Sequence, residues 1–177
     1  MKIKFIIFLI CIITFQTRAQ DAAIAVSGGL TQNGFAGMLS YNYYYNRYQS
    51  SFIQGSILFT SAKSKSYKIP YNEFTFNAGM YFLALKNRSE AIKITVGAGG
   101  SFGYESINNG SNELSTGEVI VSKQKFIHGV FAGVDADFYL NDRLSFVVKA
   151  NEYYHFNSDI GKFFPYMGVG CRIFLDY

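Results

Sequence analysis

"GVDADFYLNDRLSFVVKANEYY", residues 133–154, sets Asp135, Asp137 and Lys149 inside strongly apolar runs, each one residue away from Val, Ala or Phe. A helix would scatter those charges around its circumference, whereas a strand collects them on one face, because its side chains alternate with a period of two. Counting by twos from His128 gives Val130, Ala132, Val134, Ala136, Phe138 and Leu140; from Leu144 it gives Phe146, Val148 and Ala150. The opposite faces carry Gly129, Gly133, Asp135 and Asp137 on one run and Ser145, Lys149 and Asn151 on the other. The stretch therefore reads as two strands of a sheet with unlike faces, joined near Asn141–Arg143.

The same alternation recurs along the chain. Eight runs of strand length are legible: Ala22–Leu30, Phe35–Asn46, Ser50–Ser61, Asn72–Lys86, Ala91–Glu105, Lys125–Leu140, Leu144–Tyr154 and Pro165–Asp176. Ile92, Ile94, Val96, Ala98, Phe102 and Tyr104 oppose Lys93, Thr95, Gly97, Gly99, Ser101 and Glu105; Phe74, Phe76, Ala78, Met80 and Phe82 oppose Glu73, Thr75, Asn77 and Gly79. Connections around 46–48, 87–90 and 141–143 are short, while 62–71, 106–124 and 155–164 are long and polar. Only the first connection, 31–34, departs from that rule. Short turns at one end and longer loops at the other are the pattern of an outer-membrane barrel.

Periodicity alone also suits a soluble sandwich, whose apolar face would meet a second sheet. Three features choose the membrane. The strands are longer than the usual soluble strand. Tyr41, Tyr43, Tyr45, Tyr139, Tyr153, Tyr154 and Tyr166 cluster at strand ends, where aromatic girdles belong. The last strand alternates through Cys171, Ile173 and Leu175 to a terminal aromatic, Tyr177. The expected fold is all-β: an eight-stranded antiparallel up-and-down transmembrane barrel.

A leader precedes it. Lys2 and Lys4, an apolar run Phe5–Phe15 and the small-residue end Thr17-Arg18-Ala19 read as a secretory signal peptide over 1–19, leaving 20–177 as one barrel domain. The run is too short for a membrane helix, which needs roughly 20 apolar residues. Cys11 lies inside it with no small residue before it, which argues against a lipid anchor. Removing Lys2, Lys4 and Arg18 takes the 16 cations to 13, against 12 acids. With no clustered cations, the chain lacks the stripe that nucleic-acid binding requires. Cys171 alone remains after processing, so neither a disulfide framework nor a cysteine metal site is expected.

An eight-stranded barrel fills its lumen with side chains, and an isolated ion there costs several kcal/mol of desolvation. The inward charges must therefore pair. A three-residue turn at Asn141–Arg143 places Leu140 opposite Leu144, Phe138 opposite Phe146 and Asp135 opposite Lys149; a two-residue turn is expected to misalign Asp137 against Phe146. Arg172 of the last strand is expected to join Asp135, Asp137 and Lys149 in one lumenal ionic cluster that plugs the barrel. Glu73, Lys93 and Glu105 are the other inward charges.

Residues suited to catalysis have plainer roles to compete with. "YYHFNSD", 153–159, places His155 near Ser158, as in barrel enzymes that attack acyl chains at the lipid rim. Side chains sharing a strand face must be an even number apart; these are three apart, and polar loop residues are the expected reading. His128 is an interfacial histidine without a sequence partner, and Asp135 with Asp137 reads as ion pairing rather than acid–base chemistry. "GAGGSFG", 97–103, has no helix start after it, so it is barrel wall and not a phosphate loop. Asn109 begins a glycosylation triplet too short to be informative. No catalytic residue, cofactor or metal is expected.

Four stretches resemble the TraO family of conjugative-transposon transfer proteins: "YKIPYNEFTFNAGMYF" (67–82), "GYESINNG" (103–110), "FIHGVFAGVDADFYLNDRLSF" (126–146) and "PYMGVGCRIF" (165–174). "GYESINNG" and the "YLNDR" turn are the most specific, and residues 20–60 show the likeness weakly. The resemblance implies a non-enzymatic outer-membrane part of the apparatus that passes DNA between cells. Its partners would be outer-membrane lipid and other transfer proteins, with loops Ser106–Gln124 and Ala62–Tyr71 as contact surfaces. The alternatives are a stand-alone barrel of the adhesion or envelope-stabilising kind and, last, a lipid-modifying enzyme using His155 or Ser158.

Overall fold

The computed structural model describes residues 22–45, 51–63, 69–108, 124–159 and 161–175. They form eight strands: β1 (Ala22–Thr31), β2 (Gly34–Tyr44), β3 (Ser51–Lys63), β4 (Pro70–Lys86), β5 (Ile92–Ile107), β6 (Lys125–Asn141), β7 (Leu144–His155) and β8 (Phe163–Leu175). Each pairs antiparallel with the next, and β1 pairs with β8, from Ala22 opposite Leu175 to Thr31 opposite Tyr166, to close the barrel. Closure removes every free sheet edge, which a strand in hydrocarbon requires because nothing there can satisfy an open backbone group. The segment 1–19 expected to be a signal peptide, Asn109, Asn46, Ser50 and the terminal Asp176 and Tyr177 lie outside the described residues.

Burial is inverted relative to a soluble protein. Phe35, Phe59, Phe76, Phe102, Val26 and Val169 stand exposed on the outer wall, while Asp135, Arg172, Asn42 and Thr60 are fully buried inside. A continuous apolar belt of that kind marks a surface made for lipid. The lumen is packed rather than open: Phe52 stacks on Tyr81 with ring centroids 5.0 Å apart, and Tyr44 tilts against Phe52 at the same distance. Tyr81 fits because the row beside it, Gly97 on β5 and Gly133 on β6, has no side chains. A Cβ at Gly97 would lie 2.5 Å from the Tyr81 ring, and one at Gly133 would lie 3.1 Å from its hydroxyl.

Two expectations are corrected. Tyr139, Tyr153 and Tyr166 point into the lumen, Tyr153 and Tyr166 being fully buried, so they are core residues and not girdle. Their parity decides it: Tyr139 and Tyr153 share the faces of Asp137 and Asn151, and Tyr166 that of Arg172. Tyr41, Tyr43 and Tyr45 do face outward. The β6–β7 turn has two residues, Asp142 and Arg143, closed by Asn141 opposite Leu144. A bulge between Tyr139 and Asn141 takes up Leu140, so Phe138 still meets Phe146 and Asp135 still meets Lys149. An extra residue opposite a tight turn leaves the same register as a longer turn would. The first turn, Gln32–Asn33, is equally tight, and Asn33 carries its left-handed conformation (φ 66°), which asparagine tolerates better than most residues.

Candidate functional site

The lumen near the β6–β7 turn holds four charges in mutual contact. Lys149 Nζ donates to Asp135 Oδ2 at 2.5 Å, and Arg172 Nη2 donates to the same oxygen at 2.6 Å. Arg172 Nη1 donates to Asp137 Oδ2 and, at 3.3 Å, to the Tyr44 hydroxyl; Ser145 Oγ donates to Asp137 Oδ1 at 3.0 Å. The guanidinium also lies 5.1 Å from the centre of the Phe52 ring. The register explains how the charges meet. Asp135 and Lys149 are cross-strand partners, and Arg172 is flanked by Ser145 on β7 and Ala25 on β1. Both neighbours are short enough for the long side chain to cross β7 and reach β6. Two anions and two cations meet where their side chains are almost wholly buried, and the several donors of a planar guanidinium let Arg172 bond both aspartates at once.

The other inward charges stay apart from this cluster. Lys93 is the cross-strand partner of Asp137, yet its ammonium sits 5.0 Å over the Tyr139 ring and 3.7 Å from Glu90 Oε2 in the β4–β5 turn. Glu73 and Glu105 lie near the opposite end of the barrel, facing each other across β4 and β5. Ser158 Oγ donates to Glu105 Oε2 at 2.5 Å, and Lys125 pairs with Asp159 at 2.5 Å.

The nucleophile–base candidates do not meet. His155 ends β7 facing the lumen, fully buried, where a polar loop residue was expected; the alternation of β7 simply runs one residue further than its sequence pattern suggests. Its ring lies between those of Tyr153 and Phe164, each centroid 6.2 Å away, and neither ring nitrogen has a hydrogen-bond partner among the described residues. Ser158 lies beyond the strand end and is bonded to Glu105 instead. His128 faces outward, its ring 5.7 Å from that of Phe156. Gly97–Gly103 lies within β5, with Gly97 and Gly99 on the inner face. What the sequence missed is the hold of the β7–β8 connection on the barrel: Asn157 accepts from the His128 backbone and donates to the Phe126 carbonyl. No local periodicity signals such a contact.

A closed eight-stranded antiparallel barrel, apolar outside and ionic within, defines a small outer-membrane β-barrel protein. Solved structures of that class share the fold. Neisserial surface protein A aligns at a TM-score of 0.55 and 16% identity, covering 88% of this chain and 95% of that one. A major outer membrane protein from Thermus thermophilus aligns at 0.64 and 11%, covering 86% and 98%. The outer membrane protein OprG from Pseudomonas aeruginosa aligns at 0.54 and 9%, covering 90% and 99%. No curated protein matches the sequence. The sequence model for the conjugative transposon protein TraO matches residues 14–175, and the chain belongs to that family. The match includes the first two strands, where the likeness of individual stretches is weak.

Proposed function

We propose that the protein is a non-enzymatic outer-membrane component of the apparatus that transfers a conjugative transposon between cells. The family match over residues 14–175 carries this reading, and the lipid-suited outer wall is what such a component needs. In this reading residues 1–19 direct export and are removed, and the barrel sits in the outer membrane of a Gram-negative envelope. The chain ends and the β4–β5 and β6–β7 turns face the periplasm, and 106–124 and 62–71 are contact loops for other transfer proteins. Asp135, Asp137, Lys149 and Arg172 have a structural role: their mutual pairing plugs the lumen. Direct contact with DNA is not part of the proposal, since the processed chain is almost neutral.

The test is an in-frame deletion of the gene within its element, with complementation, followed by mating. The expected result is a loss of transfer restored by the wild-type chain. Unchanged transfer, with altered adhesion or envelope integrity, would instead assign a stand-alone barrel. Substituting His155 or Ser158 with Ala should leave transfer intact in a folded barrel; loss of a lipid-modifying activity on either substitution would favour the enzyme.

A further inference from the structure

We infer that the end of the lumen away from the ionic cluster binds a hard divalent cation, calcium by preference, between Glu73 and Glu105. Three inward residues stand side by side on adjacent strands at this level: Thr60 on β3, Glu73 on β4 and Glu105 on β5. All three are buried, at 0%, 2% and 0% exposure. Each presents a buried oxygen without a hydrogen-bond partner among the described residues: Thr60 Oγ1, Glu73 Oε2 and Glu105 Oε1.

Two carboxylates directly opposite each other on a sheet repel. The lysine next in register is engaged elsewhere. Lys125 is the cross-strand partner of Glu105, but its ammonium is paired with Asp159. Neither Glu73 nor Glu105 forms an ion pair with a cation among the described residues, whereas the charges at the opposite end pair with one another. Ser158 holds Oε2 of Glu105 and leaves Oε1 without a hydrogen-bond partner among the described residues.

The donors are all oxygens, which selects a hard ion over a soft transition metal. Among the described residues no group of three or more His, Cys, Asp or Glu is arranged to hold a metal. The site offers two carboxylates and a hydroxyl, so an ion bound there would keep part of its water shell. Calcium accepts such irregular sets of six to eight oxygens at about 2.3–2.6 Å, whereas magnesium demands a stricter octahedron.

The experiment uses the full chain refolded in detergent micelles, with folding checked by a heat-dependent shift in electrophoretic mobility. Terbium luminescence, sensitised through Tyr71 two residues from Glu73 on the same face, should saturate and be displaced by calcium. Calcium should also raise the unfolding temperature over that in chelator, with half-effect in the range of roughly 0.1–1 mM expected for weak extracellular sites. The double variant Glu73→Gln with Glu105→Gln should lose both responses, and Thr60→Val should weaken them. Absence of any calcium-dependent shift in the wild-type barrel overturns the proposal, as does an equal response in a folded double variant. A stability that follows pH and ignores calcium would assign the pair a shared proton instead.

Discussion

Lys149 and Asp135 show how much one side chain's partner matters inside this barrel. Each is fully buried, and Asp135 Oδ2 is shared between Lys149 and Arg172. Lys149→Met should leave two aspartates to one arginine and, since breaking a buried pair leaves an uncompensated charge, cost about 3–5 kcal/mol. Adding Asp135→Asn should restore much of that loss, because Asp137 and Arg172 remain as a neutral pair. Urea midpoints of the two variants in a lipid-reconstituted barrel decide the matter, and a double variant no more stable than the single one would refute the coupling. The exposed turn behaves differently. Lys86 donates to Glu90 Oε1 at 2.5 Å and holds that carboxyl below the usual carboxylate range, with Lys93 adding to the effect. A depressed carboxylate contributes stability above its unfolded pKa and loses it as pH falls through the folded one. Lys86→Ala should move the Glu90 titration upward, as read by carboxyl carbon chemical shift in NMR, with little change in stability because exposed pairs contribute little. Position on the inner face was legible in the sequence for the lumenal charges, since parity assigns it; for Tyr139, Tyr153, Tyr166 and His155 the expectation of a girdle or loop role overrode that parity. The contacts of Lys93 and Glu105 were not legible, because a flexible side chain chooses among neighbours that parity does not name.

For the strands, the β6–β7 hairpin carries the sharpest consequence. The bulge at Leu140 separates two stretches of regular pairing, Tyr139 opposite Ser145 and Asn141 opposite Leu144. Deleting Leu140 would join them into an uninterrupted ladder with the same register, so the barrel should still fold and show its heat-dependent mobility shift. Deleting Val134, in the middle of β6, should abolish that shift. It would move part of the strand to the wrong face, and charged side chains near the bilayer midplane cost about 2–4 kcal/mol for Lys or Arg and somewhat less for Asp. The number, order and antiparallel sense of the strands were legible from period-two patterning, and their ends agreed to within about two residues. The turn was not. A three-residue turn and a two-residue turn with a bulge give the same register, and only backbone geometry separates them.

Considered whole, the barrel encloses a lumen filled by stacked aromatics and the four-charge cluster. In a planar bilayer it should show no steady conductance of the kind a porin gives, because nothing in an eight-stranded lumen packed this way leaves a water-filled path. A sustained open-channel current from the folded wild type would overturn the proposed plug. The function was legible from a different source than the fold. Alternation and loop lengths give a membrane barrel and stop there, since one architecture hosts many roles. The TraO likeness rests on particular side-chain strings that no rule of periodicity requires.

The sequence by itself determined which residues face lipid and which face the lumen, since that depends only on each residue's parity within its own strand. The tertiary structure decided which inward charges meet. Arg172 reaches Asp137 across β7, and Glu73 comes to stand against Glu105, only because separate strands are held in fixed register around a closed ring. Register between distant segments is set by turns, bulges and the closing pair of β1 with β8, and none of these leaves a periodic trace in the chain.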